Sequence, residues 1–150
     1  MQLSDHFTLA ELTRSGLAVR RNIDNTPSTS EIARLKLVAT KILEPVRAHF
    51  GVPFSPSSGY RSLTLNRALG SKDNSQHVRG EAVDIRVPGI STYDLALWMY
   101  KNLSFDQLIL ENYVPGDVDS GWVHCSYVAQ DARGQVLTFA GNLYQDGLIA

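Results

Sequence analysis

The sequence lacks the features that mark several large classes of protein. Its only cysteine is Cys125, so no disulfide can form within the chain and folding needs no oxidising compartment. Lysine and arginine number 14 against 15 aspartates and glutamates, without the basic excess typical of nucleic-acid-binding proteins. No apolar run approaches the roughly 20 residues that span a bilayer. These absences favour a globular protein with no nucleic-acid partner and no stable membrane insertion.

The first residues also lack a recognisable export signal. Met1 to Phe7 contain no charged lead, apolar core or small-residue cleavage site. We therefore expect synthesis in the cytoplasm, so that a membrane-permeabilising partner or a virion would have to deliver the protein to any target in the cell wall. With 150 residues, of which 43% are hydrophobic, we expect one monomeric domain over residues 1–150.

Helical signals come early in the chain and strand signals come late. Capping boxes at Thr8–Glu11 and Ser28–Glu31 predict a short helix and a long one, and Pro45 predicts a kink or an end of the long helix near Glu44. This order predicts an α+β fold with helices packed on a mainly antiparallel sheet. The other predicted elements are a loop over 16–27, helices over 63–69 and 91–102, and strands over 105–111, 121–128 and 135–140.

A single central acid interrupts a further strand signal over residues 81–87. Asp84 lies there among alanine, valine and isoleucine, where an ionised carboxylate is costly unless an opposite charge compensates it. His77 precedes it by seven residues in a polar loop, and imidazole and carboxylate are both zinc ligands. A catalytic zinc takes three protein ligands and leaves one position open, so this interpretation requires a third ligand.

The candidate for the third ligand is His124, one of only four histidines. Successive residues of a strand point to opposite faces, so we expect His124 to face the site while Cys125 packs in the core. His6 and His49 lie in no motif, and we assign them no function. Taken singly, each group has an ordinary explanation, and Asp84 could simply be the buried partner of an arginine. The zinc hypothesis therefore depends on the combination.

Three blocks, in their order and spacing, resemble a known family. They are Ser58–Arg61 (SGYR), Ser75–Asp84 (SxHxxGxAxD) and Trp122–His124 (WxH), preceded by a similar opening stretch at Leu3–Leu12. They are similar to the zinc D-alanyl-D-alanine carboxypeptidases, especially the phage and cell-wall L-alanyl-D-glutamate endopeptidases with the hedgehog-type fold. The resemblance implies a zinc peptidase acting on peptidoglycan peptides, with His77, Asp84 and His124 as Zn²⁺ ligands.

The general base is the point at which this sequence departs from that family. Many relatives carry a carboxylate three residues before the last histidine, where this chain has Gly121. Glu111 is our first choice instead, because it would lie beside His124 if strands 105–111 and 121–128 form a hairpin. Asp119 is the second choice, because a loop positions a side chain less well than a strand does.

Arg61 is the predicted substrate-binding cation. A guanidinium can bind a peptide carboxylate through two hydrogen bonds or stabilise an oxyanion, and the resemblance implies such a role for Arg61. The alternative is a structural ion pair. Ser75 and Gln76 precede His77 directly, and we predict that they orient it or line the substrate cleft.

Two other functions were considered, and the sequence does not determine which peptide bond would be cut. A serine hydrolase is disfavoured because the chain has no Gly-x-Ser-x-Gly motif. A zinc-containing module that binds wall peptides or a protein without cutting remains, and it differs from an enzyme in needing no base. Motifs do not separate a D,D-carboxypeptidase from an L-alanyl-D-glutamate endopeptidase, and the absence of a signal favours a phage or prophage lysin.

Overall fold

A computed structural model describes residues 1–150 as helices packed on a five-stranded sheet. The elements are α1 (Leu9–Thr13), α2 (Gly16–Arg20), α3 (Thr29–Val38), a π-helical turn (Ala39–Leu43), α4 (Glu44–Phe50), α5 (Leu63–Ala68), a 3₁₀ turn (Gln76–Arg79), β1 (Ala82–Ile85), α6 (Thr92–Asn102), β2 (Gln107–Glu111), β3 (Trp122–Ser126), β4 (Gln135–Ala140) and β5 (Leu143–Asp146). The strand order is β1-β3-β2-β4-β5, and only β2 and β4 pair in parallel. The predicted α+β class with a mainly antiparallel sheet is confirmed.

The long helical region from α3 to α4 passes through Pro45 without ending. The predicted disturbance takes the form of the π-helical turn, in which the Glu44 N–H donates to the Ala39 carbonyl, five residues back. Widening the helix by one residue just before Pro45 accommodates the ring and the missing N–H. The region therefore presents a continuous buried stripe to the sheet, made of Leu35, Val38, Ala39, Ile42, Leu43 and Val46.

One predicted loop was wrong in its first part. Residues 16–20 form α2, whereas the sequence predicted an ordered loop over 16–27. Ser15 caps this helix, since its side chain accepts a hydrogen bond from the Ala18 N–H at 3.2 Å. The Ser15 cap and the burial of Ala18 compensate for the low helix propensity of Gly16 and Val19. The burial is a tertiary effect, which single-residue propensities do not contain.

The sheet has one core face and one open face. Alternation along β1 and β3 turns Val83, Val123 and Cys125 into the core, as expected for Cys125, while Asp84 and His124 lie opposite each other on the other face. In β2, Glu111 lies on that second face, paired with Trp122. The open face therefore carries the polar residues that the sequence analysis selected.

The last third of the sheet extends this open face. β4 has the predicted bounds and lies beside β2, with Gln135 opposite Gln107. β5 follows as an edge strand whose residues are all exposed, in a stretch that the sequence analysis assigned to no element. No helix is long and apolar enough to span a bilayer.

Candidate metal centre and substrate cleft

The three sequence blocks meet through backbone hydrogen bonds. The Asp84 N–H donates to the Ser58 carbonyl at 2.8 Å, and the Ser57 N–H donates to the Asp84 carbonyl at 2.9 Å. The Arg61 N–H donates to the His77 carbonyl at 3.1 Å. The Ser58–Arg61 segment thus lies along the free edge of β1 and joins the strand of Asp84 to the turn of His77.

Gly59 fixes the orientation of the His77 ring. Its carbonyl accepts a hydrogen bond from His77 Nδ1 at 2.7 Å. Because a carbonyl can only accept, Nδ1 carries the proton and Nε2 keeps a free lone pair. A side chain at Gly59 would collide with the Leu12 carbonyl, so only glycine allows this close approach.

The 3₁₀ turn Gln76–Arg79 holds His77 at the mouth of β1. Ser75 caps the turn, and its hydroxyl accepts from the His77 N–H at 3.3 Å. His77 is 3% exposed, and burial lowers its pKa although Asp84 acts in the opposite direction. Burial thus favours the neutral imidazole, the form in which it binds a metal, whereas the Asp84 charge favours the protonated form.

His77, Asp84 and His124 form one tight cluster. Asp84 Oδ1 lies 3.3 Å from His77 Nε2 and 3.0 Å from His124 Nδ1, and the three candidate ligand atoms all lie within 4.8 Å of one another. Ligands about 2.0–2.1 Å from a tetrahedral zinc are about 3.3 Å apart, which matches the first two separations. The nitrogen, nitrogen and oxygen donor set, with one histidine fixed by a carbonyl, fits a catalytic zinc site.

Asp84 is ionised in this environment. Burial alone would raise its pKa, but His77 and His124 outweigh this effect by charge and hydrogen bonding, and the net pKa lies well below the usual range. Arg61 adds an ion pair, with Nη2 3.3 Å from Asp84 Oδ2. The carboxylate thus uses Oδ1 toward the histidines and Oδ2 toward the guanidinium, so Oδ1 is the candidate ligand atom.

Arg61 is more tightly engaged than a free substrate clamp would be. Its Nε–H donates to Ser58, its Nη1 group donates to Asn66 and Ser71, and its Nη2 group donates to Asp84. Its side chain is 13% exposed and lines the cleft. Four of the five N–H donors are therefore used within the protein, and one N–H of Nη2 remains for a substrate.

Glu111 lies on the same face as the cluster, two residue pairs farther along the hairpin. The hairpin forms as predicted, with Ile109 directly opposite His124 and Glu111 opposite Trp122. Glu111 is therefore diagonal to His124, where a long side chain still reaches. Burial raises the pKa of Glu111, and the nearby Asp84 charge adds to this while His124 opposes it. A carboxylate with a raised pKa close to the cluster is suited to accept a proton.

The structure disfavours the two other candidate positions for a base. Gly121 has φ +70°, and a side chain there would collide with the Glu111 carbonyl, so this position cannot hold the carboxylate found in many relatives. Asp119 is exposed in the β2–β3 loop and does not line the cleft. Of the two acids that the sequence suggested, Glu111 is the one that shares a cavity with the cluster.

The cluster lies in an open, mostly polar cleft of about 930 Å³. Ser75 and Gln76 line it, in agreement with one of the two roles predicted for them. The lining also includes residues that the sequence analysis did not select, among them Asp106, Arg133 and Tyr144. The parallel pairing of β2 with β4 brings Arg133 and Tyr144 to the cleft wall, and no motif in the sequence predicts that pairing.

Comparison with known proteins points to one family. The family model described as peptidase M15 matches residues 5–126. The match includes every residue of the cluster and Glu111, and it ends at the last residue of β3, so β4, β5 and their cleft residues lie beyond it. No curated protein matches the chain.

Proposed function

Because the chain belongs to the peptidase M15 family, we propose that it is a zinc-dependent peptidase that hydrolyses the stem peptides of bacterial peptidoglycan. The observation that carries the proposal is the cluster of His77, Asp84 and His124 on the floor of an open cleft, with Glu111 on the same face. A purely structural histidine and acid cluster would need neither the cleft nor the additional carboxylate.

The three cluster residues would hold the metal. Asp84 offers Oδ1, and His77 offers Nε2 because its Nδ1 donates to Gly59. When bound, zinc supplies a Lewis acid that polarises a peptide carbonyl and makes water more acidic. Arg61 fixes the orientation of Asp84 through Oδ2, which leaves Oδ1 directed at the two imidazoles.

Glu111 is the proposed general base. It accepts a proton from the attacking water as the oxygen bonds to the scissile carbonyl carbon, and it then passes the proton to the leaving nitrogen as the carbon–nitrogen bond breaks. Its raised pKa favours the first transfer, because the proton is taken up more readily than by an exposed glutamate. The remaining N–H of Arg61 is available to the developing oxyanion or to a substrate carboxylate.

A finer assignment follows from the same proposal. We infer a cell-wall lysin of the phage or prophage type, made in the cytoplasm and acting on the wall during lysis or from a virion. The cut bond is either the terminal D-alanyl-D-alanine bond or the L-alanyl-D-glutamate bond within the stem.

Digestion of purified peptidoglycan tests the proposal. We expect zinc-loaded protein to release peptides whose masses identify the cut bond, and we expect a chelator to stop this release and added zinc to restore it. If zinc is bound but no peptide is released, the alternative of a non-catalytic module that binds wall peptides or a protein would be favoured over an enzyme. Undiminished release after complete removal of the metal would refute a metallopeptidase.

A further inference from the structure

We propose that Arg133 binds a carboxylate of the peptide substrate, at the end of the cleft opposite Glu111. The inference rests on the proposed function, because it names a recognition contact within the same cleft. Arg133 lies between β3 and β4, beyond the residues that the family model matches. Nothing in the family match therefore assigns it a role.

Arg133 is held in place by a buried acid. Asp106 is 4% exposed, and its Oδ1 accepts from the Arg133 backbone N–H at 2.9 Å. The Arg133 Nε–H donates to both Asp106 oxygens at 3.2 Å, and Nη2 donates to Oδ2 at 2.7 Å. Such a bidentate pair fixes the plane of the guanidinium before any ligand arrives, which lowers the entropic cost of binding.

The other edge of the guanidinium remains available. Nη1 makes no hydrogen bond within the protein, and the second Nη2 contact is a long one of 3.4 Å to Gln76 Oε1. The Arg133 side chain is 52% exposed and lines the cleft. A residue that served only to anchor its loop would need the Asp106 contacts alone, whereas this one also presents unpaired donors to the substrate space.

The strand register places Arg133 relative to the cluster. Ile109 lies opposite His124, so Glu111 and Gln107 lie two residues away on either side, each about 7 Å along the strand. Asp106 adjoins Gln107, and it holds Arg133 at that second end. A bound peptide would place its scissile carbonyl at the cluster. A residue one or two positions from the scissile bond would then lie beside Arg133.

A carboxylate is the ligand that this geometry favours. Guanidinium donors bind carboxylates and phosphates most strongly, and the proposed stem-peptide substrate carries carboxylates on its D-isoglutamyl residue and at its C-terminus. The isoglutamyl and the C-terminal carboxylate could bind Arg133 in the same way. Amidation of one carboxylate at a time shows which of them does.

The test uses three forms of acetyl-L-alanyl-D-isoglutamyl-L-lysyl-D-alanyl-D-alanine. One form has both carboxylates free, one is amidated on the isoglutamyl residue, and one is amidated at the C-terminus. Calorimetry measures their binding to the wild-type protein, to Arg133→Gln and Arg133→Lys, and to Arg67→Gln as a matched control. Arg67 also pairs with an aspartate, Asp73, but neither residue lines the cleft.

We expect one amidation to weaken binding to the wild-type protein about 10- to 100-fold, the value of a lost charge-assisted hydrogen-bond pair. Arg133→Gln should bind all three peptides equally weakly, Arg133→Lys should keep part of the preference, and Arg67→Gln should behave as wild type. Circular dichroism and thermal melting establish that the variants are folded.

Several results would overturn the inference. These are equal sensitivity to amidation in the wild type and Arg133→Gln, unchanged affinity in Arg133→Gln, or no binding of any peptide to the wild type. Hydrolysis of the same peptides separates this inference from the proposed function. Cleavage without dependence on Arg133 refutes only the carboxylate contact, whereas Arg133-dependent binding without cleavage refutes only the peptidase.

Discussion

The two sides of the cleft are built in different ways. The motif side, residues 58–124, buries its polar groups, so that His77 is 3% exposed and Asp84 is 7% exposed. The C-terminal side, residues 127–150, leaves its cleft residues open, with the Arg133 side chain 52% exposed and Tyr144 58% exposed. Both sides are carried by the same sheet, yet the polar side chains of the first are buried and those of the second are exposed to solvent.

Under the proposed function, this difference separates the residues of the reaction from those of substrate recognition. A metal site tolerates little displacement of its ligands, so each ligand is held by further contacts, as His77 is held by Gly59 and Asp84 by Arg61. A recognition wall needs only donors and apolar surface in reach of the substrate. We therefore expect substitutions on the motif side to abolish catalysis and substitutions on the C-terminal side to change substrate preference.

Loss of a metal ligand should have the largest effect. We expect His77→Ala and His124→Ala to lose most of their bound zinc and to lower kcat/KM by more than about 100-fold, since even outer contacts of zinc ligands are worth 10- to 100-fold. Elemental analysis of the purified proteins and peptide-release assays measure both quantities. His6→Ala is the control, because His6 is an exposed partner of Glu44 far from the cluster in sequence. Retention of zinc and activity in both ligand variants would refute the assigned centre.

Removal of the proposed base should leave the metal in place. We expect Glu111→Gln to retain zinc and to lower kcat by about 10²- to 10⁴-fold, the usual contribution of a positioned acid or base. Asp119→Asn should change kcat little, because Asp119 is exposed outside the cleft. The reverse result, with Asp119 essential and Glu111 dispensable, would move the base from the strand to the loop.

Much of the motif side was predictable from the sequence. The Asp84 carboxylate stood out because an acid in an apolar strand needs compensation, and strand alternation correctly separated His124 from Cys125. The hairpin that carries Glu111 followed from two strand signals and the loop between them. These inferences succeeded because burial and residue type leave few other arrangements. The roles of these residues in catalysis stay predictions.

The C-terminal side was not predictable from the same signals. β4 was predicted as a strand, but its parallel pairing with β2 depends on contacts between segments distant in sequence. β5 exposes every residue and so has no apolar pattern to mark it. The position of Arg133 depends on that pairing and on Asp106, so no sequence signal marked it as a residue that lines the cleft.

Acid should weaken the attachment of the C-terminal side. Hydrogen bonds from Arg133 lower the pKa of Asp106 despite the opposing effect of burial. The contribution is therefore fully present above the unfolded pKa of about 3.9 and is lost as the pH falls toward the lower folded pKa. After allowance for the exposed arginine, we expect Asp106→Asn to reduce the free energy of unfolding by about 1 kcal/mol at pH 7.

Urea unfolding of both proteins at several pH values measures this difference. The wild type should converge on Asp106→Asn below about pH 4, because only the wild type gives up an ionised partner there. Other carboxylates titrate in the same range, but they are common to both proteins and cancel in the difference. If the difference in unfolding free energy between the two proteins did not change with pH, packing and not the ion pair would attach the loop that carries Arg133.

The smallest effect is expected at Tyr144, and it tests whether the division between the two sides holds. Tyr144 packs on Phe139 with ring centroids 4.4 Å apart, and burial followed by the Glu111 charge raises the pKa of its hydroxyl. Tyr144 is exposed, so we expect Tyr144→Phe to leave kcat within about threefold and the free energy of unfolding within about 0.5 kcal/mol. Steady-state kinetics with the stem peptide measure the first and urea unfolding the second. A drop in kcat above tenfold with unchanged KM would mean that the hydroxyl acts with Glu111 in the reaction, and the C-terminal side would then belong to the catalytic machinery.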